Sequence, residues 1–135
     1  MKLPEDLQYT DHDEWVRLDG EGAVIGITDF LASHLGTVTK VDLPVSGRKL
    51  RNGEPVVLLR SALSTHVIVA PISGHVLAVN SAIAENPSTV NDDPYQAGWL
   101  FKIRIEAGEE IEHLRDVHTY ARRIALAEVG TAESP

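Results

Sequence analysis

The chain has 135 residues, no cysteine, six histidines and a formal net charge of −8. That length fits one domain with its own core; the acidic balance argues against gripping a phosphate backbone, and the lack of cysteine removes disulfides, thiolate metal sites and a cysteine nucleophile. No apolar run approaches the roughly 18 residues of a membrane span, and Met1-Lys2-Leu3-Pro4-Glu5-Asp6 lacks the apolar stretch of a signal peptide, so the expectation is a soluble, cytoplasmic domain.

Short β-branched runs punctuated by glycine and proline predict a mainly β architecture. The expected strands are Trp15 to Leu18, Ala23 to Ile27, Thr37 to Asp42, Val56 to Arg60, His66 to Val69, His75 to Asn80 and Trp99 to Ile105. Within His75 to Asn80 the alternation is too soft to assign faces. A short helix fits Thr28 to Leu35, with Thr28 as its cap and Gly36 as its terminator. Ile111, Leu114, Val117, Ala121, Ile124 and Ala125 recur at three- and four-residue steps, which predicts a C-terminal helix packed on the sheet. The domain is expected over residues 1–127, with 128–135 as a flexible tail.

Pro44-Val45-Ser46-Gly47-Arg48-Lys49-Leu50 repeats as Pro71-Ile72-Ser73-Gly74-His75-Val76-Leu77. An apolar residue at the same place after each turn favours duplication over recurrence of turn chemistry alone. Duplication implies a quasi-twofold β-sandwich with a hairpin in the intervening segment, Glu54 to Ala70. The connection of that hairpin, Arg60-Ser61-Ala62-Leu63-Ser64-Thr65-His66, is small and polar around one leucine.

Further motifs then accumulate: Tyr9-Thr10, Glu14-Trp15-Val16, Gly26-Ile27-Thr28-Asp29, Leu35-Gly36, Val41, Leu43-Pro44 and Gly47 in the first half. The second half adds Pro71-Ile72-Ser73-Gly74, Val79-Asn80, Pro87, Val90-Asn91, Asp93-Pro94-Tyr95 and Gly98-Trp99-Leu100. With these the chain resembles the glycine cleavage system H proteins from about Tyr9 to Tyr120. The resemblance implies a barrel-sandwich hybrid of the lipoyl-domain type: a flattened, quasi-twofold sandwich of two antiparallel sheets with a short helix and a C-terminal helix. It also implies a non-enzymatic carrier whose tip lysine bears lipoate. That arm would visit a glycine decarboxylase, an aminomethyltransferase and a dihydrolipoamide dehydrogenase.

The family's tip motif is E-S-x-K-A-x-S-D. Counting back from Pro71 without a gap, Leu63 falls on the lipoyl-lysine position and Ser61 is retained. Arg60 replaces the motif's Glu, Ser64 its Ala and His66 its Asp, so more than the lysine has changed. The chain's lysines are Lys2, Lys40, Lys49 and Lys102, none of them in the hairpin segment. The expectation is therefore no cofactor, and a partner-binding or regulatory role in glycine catabolism carried by Arg60, Ser61, Ala62, Leu63, Ser64 and His66, with Glu14 and His34 in the same partner-binding set. The alternatives are a working aminomethyl carrier, or a decoy or assembly factor of another lipoate-linked system.

Glu14 and His34 match positions near the cleft that shelters the family's loaded arm. For His34 the other reading is a helix-end histidine favoured by the helix dipole. The family's usual His before Glu14 is Asp13 here, with His12 one place earlier. Metal binding is not expected: His66 and His75 flank one hairpin arm, and His113 and His118 miss the spacing of ligands on one helix face. Catalysis by Ser61, Ser64 and His66 lacks a positioned third group.

Overall fold

The computed structural model describes residues 2–133, with side chains placed through Ala127. The strands are β1 (Gln8–Tyr9), β2 (Glu14–Asp19), β3 (Gly22–Ile27), β4 (Val38–Asp42), β5 (Lys49–Leu50), β6 (Pro55–Ser61), β7 (Thr65–Val69), β8 (Gly74–Val79) and β9 (Phe101–Ile105). The helices are α1 (Asp29–Leu35), α2 (Ala82–Glu85), α3 (Thr89–Asp92) and α4 (Val117–Glu133), with a 3-10 turn at Gly108–His113. One sheet has the order β1-β2-β3-β9-β8-β5 and the other β4-β6-β7, with every pairing antiparallel. The expected mainly β sandwich is what the chain forms. No described helix is long and apolar enough to cross a membrane.

The two sheets close over Val16, Ile25, Leu50, Val57, Leu59, Ile68, Ile72, Val76 and Ile103, all buried. A second cluster, built on Tyr9, Trp15, Tyr95, Tyr120 and Ile124, fastens α4 and the N-terminal segment to the outside of the larger sheet. Tyr9 and Tyr120 stack there, with centroids 4.8 Å apart and planes 7° apart. The soft alternation of β8 has a local cause. Its register against β9 shifts between Val76 and Ala78, so a bulge interrupts the inside-outside order.

The two repeat copies pair with each other. Lys49 faces His75 and Leu50 faces Gly74, while Val76 N–H donates to the Arg48 carbonyl at 2.9 Å. Exchanging each residue for its repeat equivalent turns the Lys49–His75 pair into Val76–Arg48. The pairing therefore maps onto itself, as a local twofold axis requires.

The C-terminal helix differs from expectation. Leu114 is extended (ψ 149°) and Arg115 pairs with Tyr9, so the chain breaks between the 3-10 turn and α4. Asp116 restarts the helix by accepting from Thr119 N–H at 2.8 Å, a capping signal that outweighs the apolar periodicity around it. α4 then continues to Glu133, into the segment expected to be tail; Ser134 and Pro135 lie outside the described residues.

Candidate functional site

α1 begins where Thr28 Oγ1 accepts from Leu31 N–H and ends at Gly36, whose φ of +75° suits glycine. Its N-terminal end is wired into α4. The Thr28 hydroxyl meets Tyr120 Oη at 2.7 Å, and Tyr120 Oη donates to Asp13 Oδ1 at 2.8 Å. Asp13 itself sits at φ +63°. At the other end Asn91 Nδ2 donates to the Gly36 and Ala32 carbonyls at 2.8 and 3.3 Å, and Asn91 Oδ1 accepts from Val38 N–H at 2.8 Å. Ser61 Oγ donates to the Leu35 carbonyl at 2.7 Å. Carbonyls that a helix C-terminus leaves without intrahelical partners are thus met by two side chains from distant segments.

This places the end of α1 against the β6–β7 hairpin. Ser61 N–H donates to the Ser64 carbonyl at 2.8 Å, closing the connection Ala62–Ser64. Leu63 stands at the tip, 83% exposed. A methyl group on Gly36 would lie 3.2 Å from its Cδ1, so the leucine leans over the end of α1 while most of it faces solvent.

Arg60 pairs with Thr65 on β7 and with Lys40 on β4. Asp42 lies 3.6 Å from the Arg60 guanidinium and 3.9 Å from Lys40 Nζ, both exposed ion pairs. The tip therefore carries a local excess of positive charge on an acidic protein. His66 is half-buried on β7 opposite Leu59, and burial pushes its pKa down against the pull of Asp13. Counted from Leu63, the tip motif's aspartate position is Val67 rather than His66, and Val67 is 45% exposed on the edge strand.

The structure brings Arg60, Ser61, Ala62, Leu63, Ser64 and His66 into one hairpin end; His34 lies in the last turn of α1, one residue before Leu35, whose carbonyl Ser61 holds. His34 is bound to its own helix: Nδ1 meets the Phe30 carbonyl at 2.7 Å and the ring packs on Phe30 at 4.4 Å. Glu14 stands apart. It is fully buried, accepts from Val69 N–H at 3.0 Å and from Thr10 Oγ1 at 3.1 Å, and so joins β2 to the root of β7. The run from Val69 to Leu63 is roughly 20 Å of extended chain. Burial pushes the Glu14 pKa up to about 8. Sequence reasoning singled out Glu14 and His34 but missed Asn91 as the clasp of α1, since one asparagine inside the four-residue α3 gives no such signal.

Each lysine has a place elsewhere. Lys102 lies on β9 with Nζ 3.7 Å from Asp19, Lys49 on β5 opposite His75, and Lys40 on β4. The Lys2 backbone N–H donates to Asp29 at 2.8 Å. Among the described residues no group of three or more His, Cys, Asp or Glu is arranged to hold a metal.

Comparison with known proteins converges on one family. A family model described as the glycine cleavage H-protein matches residues 7–126. The chain is 46% identical over 121 residues to the glycine cleavage system H protein of Beutenbergia cavernae, covering 90% of this chain and 95% of that one. It is 42% identical over 122 residues to the probable glycine cleavage system H protein of Aeropyrum pernix, covering 90% and 85%. A crystal structure of a glycine cleavage system H protein from Mycobacterium marinum superposes with a TM-score of 0.81 at 29% identity, covering 91% of this chain and 99% of that one.

Proposed function

The chain belongs to the glycine cleavage H-protein family, and from that premise we propose that it is a non-lipoylated member that docks on protein partners through an unmodified hairpin tip. One observation carries the reading: the exposed tip position is occupied by Leu63. Lipoylation joins a carboxyl carbon to an ε-amino nitrogen, and leucine has no nitrogen to acylate. Lys40, on the strand beside β6, stands within a β-ladder opposite Arg60 rather than on a projecting turn.

On this reading the protein is not an enzyme and holds no cofactor. It keeps a scaffold that glycine decarboxylase, aminomethyltransferase or dihydrolipoamide dehydrogenase homologues would meet, and it acts by occupying them. Arg60 and Leu63 replace an acidic, modifiable tip with a cationic rim and an apolar knob. Opposite charge at the partner's surface then governs which partner is favoured.

A second reading, a working aminomethyl carrier, is supported by the names of the relatives, which are glycine cleavage system H proteins. One experiment separates the two. The purified chain is incubated with a lipoate–protein ligase, lipoate and ATP, and its intact mass is recorded, with Leu63→Lys in parallel. The proposal expects an unchanged mass for the parent chain. Gain of one lipoyl group by the parent would establish the carrier reading instead.

A further inference from the structure

We propose that Ser61 is the positioning residue of the tip: its hydroxyl ties the connection Ala62–Ser64 to the end of α1, so that side chain 63 is presented in one direction. The inference rests on the reading of this tip as the docking element and adds what orients it.

A serine hydroxyl has one proton to donate and two lone pairs to offer. Here the proton goes to the Leu35 carbonyl at 2.7 Å, with the Ser64 carbonyl at 3.3 Å as the weaker alternative. The lone pairs receive Leu63 N–H at 3.2 Å and Ser64 N–H at 3.1 Å. One oxygen therefore binds the Leu63 and Ser64 amides of the turn and a terminal carbonyl of the neighbouring helix. The Leu63 side chain leans on Gly36, at a φ where other residues are strained. Tip and helix end move as one unit, and a partner gripping Leu63 also meets Gly36.

A serine serving only to cap α1 would alter overall stability without altering the tip. Ser61→Ala and Ser61→Thr distinguish these roles, because threonine keeps the hydroxyl. The readouts are amide hydrogen exchange at Leu63, Ser64 and Ile68, and the NMR contact between the Leu63 methyls and the Gly36 α-protons. Ile68 lies mid-ladder opposite Val57 and reports the hairpin as a whole. In Ser61→Ala, exchange at Leu63 and Ser64 should accelerate about tenfold beyond any change at Ile68, and the Leu63–Gly36 contact should be lost. Ser61→Thr should restore both.

Tip exchange that accelerates no more than Ile68, or a Leu63–Gly36 contact that survives in Ser61→Ala, overturns the proposal. Failure of threonine to restore either readout overturns it as well. Neither measurement uses a partner or lipoate, so the result is independent of the mass experiment that tests the functional reading.

Discussion

Replacing Glu14 by glutamine tests how the fold treats a carboxyl closed inside it. In the unfolded chain this group ionises at its ordinary value of 4.5, whereas burial raises the folded value to about 8. Between those values the folded protein holds a proton that the unfolded chain has released. The stabilisation is fully present below the unfolded pKa, falls as pH rises, and is exhausted once the folded carboxyl ionises. The slope reaches about 1.4 kcal/mol per pH unit, which makes the whole window worth at most about 5 kcal/mol. Glutamine keeps an oxygen for Val69 N–H and an amide for Thr10 but never ionises. Near pH 4.5 the variant should be slightly weaker than the parent, by about 1 kcal/mol for a less well-matched hydrogen bond. By pH 7 it should have gained about 3 kcal/mol relative to the parent. Urea unfolding of both proteins from pH 4.5 to 8.5 at fixed ionic strength measures that difference, and other titrating groups cancel in it. A difference that does not change with pH would refute the reasoning.

Other expectations follow from the same contacts. Asn91→Ala removes three bonds at the end of α1 and should cost about 2–3 kcal/mol in urea unfolding; Asn91→Asp should cost at least as much, because it sets a carboxylate against the Ala32 and Gly36 carbonyls. Tyr120→Phe keeps the stack on Tyr9 but breaks the chain of hydroxyls from Thr28 to Asp13, an expected loss of about 1–2 kcal/mol by thermal or urea unfolding. Thr28→Ala removes the side-chain cap of α1 and should lower stability by about 1 kcal/mol in the same assay.

Much of this architecture is legible in the residues, because its signals are local. Thr28 and Gly36 mark both ends of α1, and the apolar runs on either side of Leu63 define the hairpin. The paired Pro-x-Ser-Gly turns expose the internal symmetry. What escapes the sequence is either too short or too distant. β1 and β5 are two residues each, and α2 and α3 four each, less than any periodicity needs. The C-terminal break is written in Asp116, but an apolar stripe running through it hides the restart. In the site, a hairpin without lysine is visible in the residues themselves, whereas the burial of Glu14 depends on Val69 and Thr10 closing over it. The joint engagement of α1 by Ser61 and Asn91 emerges only when segments far apart in the chain meet.

The self-complementary pairing of Arg48-Lys49-Leu50 with Gly74-His75-Val76 has a consequence for how such a molecule could arise. Two separate half-length chains bearing this same segment would present identical edges to one another and could close as a symmetric homodimer. Joining them end to end replaces a concentration-dependent association with an intramolecular one of high effective concentration. Once fused, the halves are free to diverge. The hairpin that bridges them, with Leu63 at its tip, can then vary without disturbing the seam.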